Sequence, residues 1–136
     1  MCCELVAAWE GVNYLFIDEV SMIGCNLLLS ISQSLADAKD KRILFGGANV
    51  IFTGDFAQLP PIGQTKLYTH VNTANIGTTN GQNVVFGKIL WLSVRTVVIL
   101  TEIMHQTSEQ NRRFVELLSQ LCKGQCTRAD YDLLCS

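Results

Sequence analysis

The chain has 136 residues, the size of one domain, and 49% hydrophobic against 16% charged content is enough to build a core and excludes disorder throughout. Lys+Arg of 10 against Asp+Glu of 12 leaves a net charge of −2, so no global basic field exists and any nucleic-acid contact must be local or lie outside these residues. No apolar run reaches the length of a membrane span, and the start MCCELVAAWEG has neither the basic region nor the long apolar stretch of a signal peptide.

In chain order, NYLFID (13–18) reads as a short apolar strand with acids at its carboxyl end, a pattern suited to a parallel strand buried on both faces. Gly24 breaks it. Leu27, Leu28, Ile31 and Leu35 then recur at helical spacing, with Asn26, Ser30, Gln33 and Asp37 on the other side. DAKDKR (37–42) and Gly46-Gly47 form a polar connection to a second apolar run, ANVIFTGD (48–55), which also ends on an acid. Strand, helix, strand makes a βαβ unit.

QLPPIG (58–63) is a stiff loop, because Pro60 and Pro61 remove two successive backbone donors. Residues 69–83, rich in Thr, Asn and Gly, predict a long surface connection. A short helix is expected within 84–94 and a third β-branched strand at TVVIL (96–100). Thr107 and Gln110 have capping-box spacing before a helix over 109–122, where Phe114, Leu117, Leu118 and Leu121 form a stripe that stops near Gly124. Thr127 and Asp130 predict a second cap.

Six cysteines (2, 3, 25, 122, 126 and 135) are unevenly placed, as in a reducing, intracellular compartment. Cys122, Cys126 and Cys135 could be drawn as a metal site. C-x3-C plus a lone Cys lacks a paired knuckle and a fourth ligand, so ordinary buried thiols are expected.

The two acids at 18 and 19 carry the chemical signal. An ionised Asp at a sheet edge needs water, a cation or donors close by. In P-loop nucleotidases such a strand delivers an Asp that holds Mg²⁺ beside the phosphates, and an adjacent Glu can deprotonate the attacking water. The plainer alternative makes Asp18 a helix cap and Glu19 a first-turn acid. GDFAQLPPIG adds weight to the first reading: Gly54 permits a turn at the strand end, Asp55 ends the second strand as Asp18 ends the first, and Gln58 can donate and accept without adding charge. Such a group suits a γ-phosphate sensor, unless it merely ties down its own loop.

FIDEVSMIG followed by NVIFTGDFAQLPPIG, LWLSVRTVVILTEIMHQ and FVELLSQLCKGQCTRADYDLL resembles the PIF-like ATP-dependent DNA helicases, a RecD-like branch of helicase superfamily 1 that includes fungal and Helitron-type relatives. The resemblance covers nearly the whole chain, least informatively at 69–83. It implies an α/β fold: a partial RecA-like P-loop NTPase motor domain with a mostly parallel sheet over 1–100, and the helical start of a second motor domain over 101–136.

It implies site residues too. Asp18 would bind magnesium and Glu19 would be the catalytic base. Gly54, Asp55, Gln58, Leu59 and Pro60 match the motif whose Gln senses the γ-phosphate, which puts Asp18, Asp55, Gln58 and His105 in contact with the nucleotide and Gln58 beside Glu19 in catalysis. The implied partners are ATP with Mg²⁺ and single-stranded or duplex DNA, with no membrane. The implied setting is the nucleus, with 5′→3′ movement in DNA repair, recombination and telomere maintenance.

Two departures stand out. No G-x-x-x-x-G-K-[ST] loop occurs in the 136 residues, so on their own they are expected to bind ATP·Mg²⁺ weakly and to hydrolyse none. His105 stands where the family usually has an Arg before the Gln, and a mostly neutral imidazole cannot replace a permanent guanidinium; Arg112 or Arg113 could reach instead, but their expected place is the polar face of the 109–122 helix. The alternative function is a catalytically inactive helicase remnant or binding module.

Overall fold

YLFI and NVIF are each too apolar for solvent and too short for a helix, and they find each other. In the computed structural model, which describes residues 2–40, 42–70, 76–101 and 112–135, β1 (Tyr14–Ile17) and β2 (Asn49–Phe52) pair in parallel, Tyr14 opposite Asn49 and Ile17 opposite Phe52. The chain divides into two compact units, Met1–Thr96 and Val97–Ser136.

In the first unit, α1 (Cys2–Trp9) precedes β1, and α2 (Cys25–Ala38) links the two strands. The expected α2 stripe is rotated. Cys25, Leu28, Ser32, Leu35 and Ala38 face inward, while Leu27 is exposed. Leu28 is fully buried, a burial that contributes about 2 kcal/mol. Ser32 is tolerated inside because its hydroxyl accepts the Phe45 amide at 3.2 Å. The core joins Val20, Ile23, Leu28, Leu35, Leu67, Val84 and Leu90, with Leu15, Ile17, Val50 and Phe52 packed on it from the sheet.

The strands are therefore buried on one face only, against expectation. Tyr14 and Phe16 are exposed, because Leu15 and Ile17 alone point to the helices and no described element covers the opposite face. Lys39 fastens α1 to α2 by donating to the carbonyls of Trp9 and Val12.

The segment 69–83 is not all loop. Helix α3 (Thr79–Leu92) starts within it, capped by Thr78, whose hydroxyl accepts the Gly81 amide at 3.0 Å. Its Asn and Gly residues, poor helix formers, have a packing use: Asn80 accepts from Asn26 of α2 at 2.7 Å, and Gly81 and Gly87 are buried. The third strand at 96–100 is absent. Val97–Leu100 are 78–90% exposed and outside any strand or helix, since a β-branched run becomes a strand only where a ladder partner is available.

In the second unit, α4 (Arg112–Lys123) buries Leu117 and ends at Gly124 (φ 65), whose amide donates to Leu121. Helix α5 (Arg128–Leu134) has the expected capping box between Thr127 and Asp130. Cys25 is buried, but Cys122, Cys126 and Cys135 are free and exposed, against expectation; Cys126 and Cys135 lie beyond the ends of α4 and α5. The expected Thr107–Gln110 cap lies outside the described residues.

Candidate functional site

Because β1 and β2 are parallel and in register, the residues that follow them leave the sheet side by side. The ladder continues for one more step: Thr53 N donates to Ile17 O and Val20 N donates to Thr53 O, both at 2.9 Å. Between these bonds Thr53 Oγ1 donates to Asp18 Oδ1 at 2.6 Å, and the same oxygen accepts the Glu19 amide at 2.8 Å. The threonine hydroxyl first, and the amide second, hold the Asp18 carboxyl below the usual carboxylate range. Among the described residues no donor reaches Oδ2.

Asp18 is therefore tied across the sheet rather than used as a helix cap. The cap position of the following 3-10 turn, Val20–Met22, belongs to Glu19, whose exposed side chain makes no capping bond. Glu19 lies in the left-handed region at φ 52, ψ 47, which costs a residue with a Cβ on the order of 1 kcal/mol. Neighbouring backbone enforces that turn. Gly54 (φ 137) packs so closely beneath it that a Cβ there would stand 2.8 Å from Val20 N and 3.3 Å from Glu19 Cα.

Asp55 shapes the loop that follows. Its Oδ1 accepts the Ala57 amide at 2.9 Å and its carbonyl accepts the Gln58 amide at 3.0 Å, an Asx-turn. Gln58, Leu59 and Pro60 are exposed, and the Gln58 side chain makes no hydrogen bond among the described residues, so it does not tie the loop down.

Other residues hold it. Phe56 meets Trp91 edge-on at 5.6 Å and Tyr68 at 5.3 Å, and Trp91 also meets Phe52 at 5.5 Å. Beyond Pro61 the loop is stitched to the start of α2, where Cys25 N donates to Thr65 O at 2.9 Å and Leu27 N to Gln64 Oε1 at 3.2 Å. Thr53, Phe56 and Trp91 were missed by sequence reasoning: aromatic residues at 52, 56, 68 and 91 look scattered until α3 brings Trp91 over the strand ends. The one available signal for Thr53 was its place, one residue beyond β2, as Asp18 is one residue beyond β1.

Among the described residues no three or more His, Cys, Asp or Glu side chains gather into a metal cluster. One free carboxylate oxygen nevertheless fits magnesium, a hard cation that keeps several waters and takes one or two carboxylates together with substrate phosphates. His105 lies outside the described residues, as do the side chains of Arg112 and Arg113. No helix among the described residues is long and apolar enough to cross a membrane.

A family model described as PIF1-like helicase matches residues 3–132. The chain belongs to the PIF1-like helicase family. Among PIF1-like relatives, it is 28% identical over 125 residues to the ATP-dependent DNA helicase RRM3 of Saccharomyces cerevisiae, covering 91% of this chain and 15% of that protein. It is 31% identical over 125 residues to the ATP-dependent DNA helicase Pif1 of Bdellovibrio bacteriovorus, covering 91% and 25%. A crystal structure of Bacteroides Pif1 bound to single-stranded DNA superposes with a TM-score of 0.66 at 27% identity, over 95% of this chain and 29% of that one. A crystal structure of Pif1 helicase from Bacteroides in complex with ADP-AlF3 and single-stranded DNA gives 0.64 at 27%, over 95% and 28%. The chain thus spans a quarter or less of the curated PIF1-like relatives named here, and its α/β fold is part of a RecA-like helicase motor.

Proposed function

We propose that these residues are the part of an ATP-dependent DNA helicase that couples ATP hydrolysis to DNA unwinding. The observation that carries this reading is the meeting of two sequence-distant motifs at adjacent strand ends, with Asp18 bonded to Thr53 and Glu19 turned over Gly54. Carboxyl ends of parallel strands are where open α/β sheets bind ligands.

In this reading Asp18 binds magnesium through its free oxygen, and Glu19 takes the proton of the attacking water. Asp55 fixes the loop and, with His105, lies at the nucleotide, while the unbonded amide of Gln58 senses the γ-phosphate. A magnesium ion held by Asp18 would supply positive charge against the phosphates. Residues 1–100 belong to the first motor domain and 101–136 begin the second. Resemblance to the family supports ATP and single-stranded or duplex DNA as partners, 5′→3′ movement, a nuclear location, and roles in DNA repair, recombination and telomere maintenance.

The test is ATP turnover by the complete protein carrying these residues. Hydrolysis that requires Mg²⁺, rises with single-stranded DNA and drives displacement from a 5′-tailed duplex is expected. A second reading, an inactive remnant or binding module, is favoured by His105 at the family's arginine position. It wins if the protein binds DNA and never hydrolyses ATP.

A further inference from the structure

The molecule offers several features that the reading above leaves unused: the groove between α2 and α3, the exposed thiols of the second unit, the exposed apolar run Val97–Leu100, and Thr53. Thr53 has a bond that bears on chemistry.

We propose that Thr53 is the positioning residue for Asp18, holding its carboxylate in the one orientation that leaves Oδ2 open to a magnesium–nucleotide complex. This rests on the reading of Asp18 as the magnesium ligand. An exposed Asp ordinarily samples several rotamers, and each must be given up when a cation binds. Here Oδ1 is occupied twice, by Thr53 Oγ1 at 2.6 Å and by the Glu19 amide at 2.8 Å, both short, charge-assisted bonds. The side chain is thus ordered before the cation arrives.

The threonine is itself fixed. Its amide donates to Ile17 and its carbonyl accepts from Val20, so the hydroxyl sits on a rigid ladder rather than on a loop. Valine keeps the shape and β-branching of threonine and removes the donor, whereas serine keeps the donor.

The experiment measures binding of a fluorescent ADP analogue to the complete protein carrying these residues, titrated with Mg²⁺ and repeated in EDTA. Thr53→Val is expected to raise the half-saturating Mg²⁺ concentration by about tenfold or more, the scale of one charge-assisted hydrogen bond, with metal-free nucleotide affinity unchanged. Thr53→Ser restores the wild-type value. The proposal is overturned if Thr53→Val keeps the wild-type Mg²⁺ dependence, if the serine variant is no better than valine, or if affinity falls equally with and without metal. A wild-type protein that binds no nucleotide with Mg²⁺ refutes the helicase reading itself, and this proposal with it.

Discussion

Gly87 of α3 lies directly against the backbone of Cys25 in α2, so close that a Cβ at 87 would overlap the Cys25 carbonyl oxygen and stand 2.9 Å from its Cα. Gly87→Ala gains about 1 kcal/mol of helix propensity and meets backbone that cannot give way. Overpacking of this kind costs about 1–3 kcal/mol, so the net change is destabilising. Urea unfolding measures it; a raised midpoint would mean that α2 and α3 do not approach as described.

Glu19 combines a left-handed backbone with the proposed role of catalytic base. Relief of the left-handed strain in Glu19→Gly stabilises the fold by about 0.5–1 kcal/mol after the entropy of the added glycine is subtracted. Glu19→Gln keeps the strain, leaves the melting temperature unchanged and abolishes ATP turnover while sparing nucleotide binding. A Glu19→Gly variant that melts lower than wild type would remove strain from the account, and full turnover in Glu19→Gln would remove the base.

Gln58→Ala deletes no hydrogen bond within the described residues, so its unfolding free energy stays within about 0.5 kcal/mol of wild type. DNA-stimulated turnover falls by about an order of magnitude or more, the loss expected when a γ-phosphate contact is removed. In the same assay His105→Arg raises turnover by a similar factor, since a permanent guanidinium stabilises charge that a neutral imidazole cannot. Silence of both variants in an active protein would leave a shared fold without the shared roles.

The second unit carries its own pH dependence. Asp130 accepts from the Thr127 hydroxyl and from the Thr127 amide, both at 2.6 Å, and these bonds, the hydroxyl first, lower its pKa below the model-compound value of 3.8. A depressed carboxyl contributes stability that is fully present above its unfolded pKa and disappears as pH falls through the folded one. Helicity of α5, followed by NMR chemical shifts, should therefore hold down to about pH 4 and fail below it. Thr127→Ala costs about 1 kcal/mol at neutral pH and flattens that acid limb; an unchanged limb would show that the box does not govern it.

Much of the site was legible because its chemistry is local. Asp18 and Glu19 follow directly on a strand that an apolar run announces, Gln58 lies in a loop that two prolines announce, and Thr127 with Asp130 is a box readable from spacing alone. What escaped was set by tertiary partners. Thr53 matters only because parallel register puts it beside Asp18. The α3 residues Thr79–Asn83 look like loop because of their poor helix propensity, which a cap at Thr78 and a close approach to α2 outweigh. Val97–Leu100 look like a strand, and no sequence pattern states whether a neighbouring strand is there to receive them.

Trp91 touches both Phe52, the last residue of β2, and Phe56, two residues before Gln58. The chain contains only one other tryptophan, Trp9, on α1. Within these 136 residues a Trp9→Phe substitution leaves a single indole, whose emission comes from the seat of the loop that carries Gln58. The same edge-to-face contacts that fix Phe56 thus make this stretch of chain its own optical gauge: any displacement of that loop changes the surroundings of one fluorophore, with no label attached.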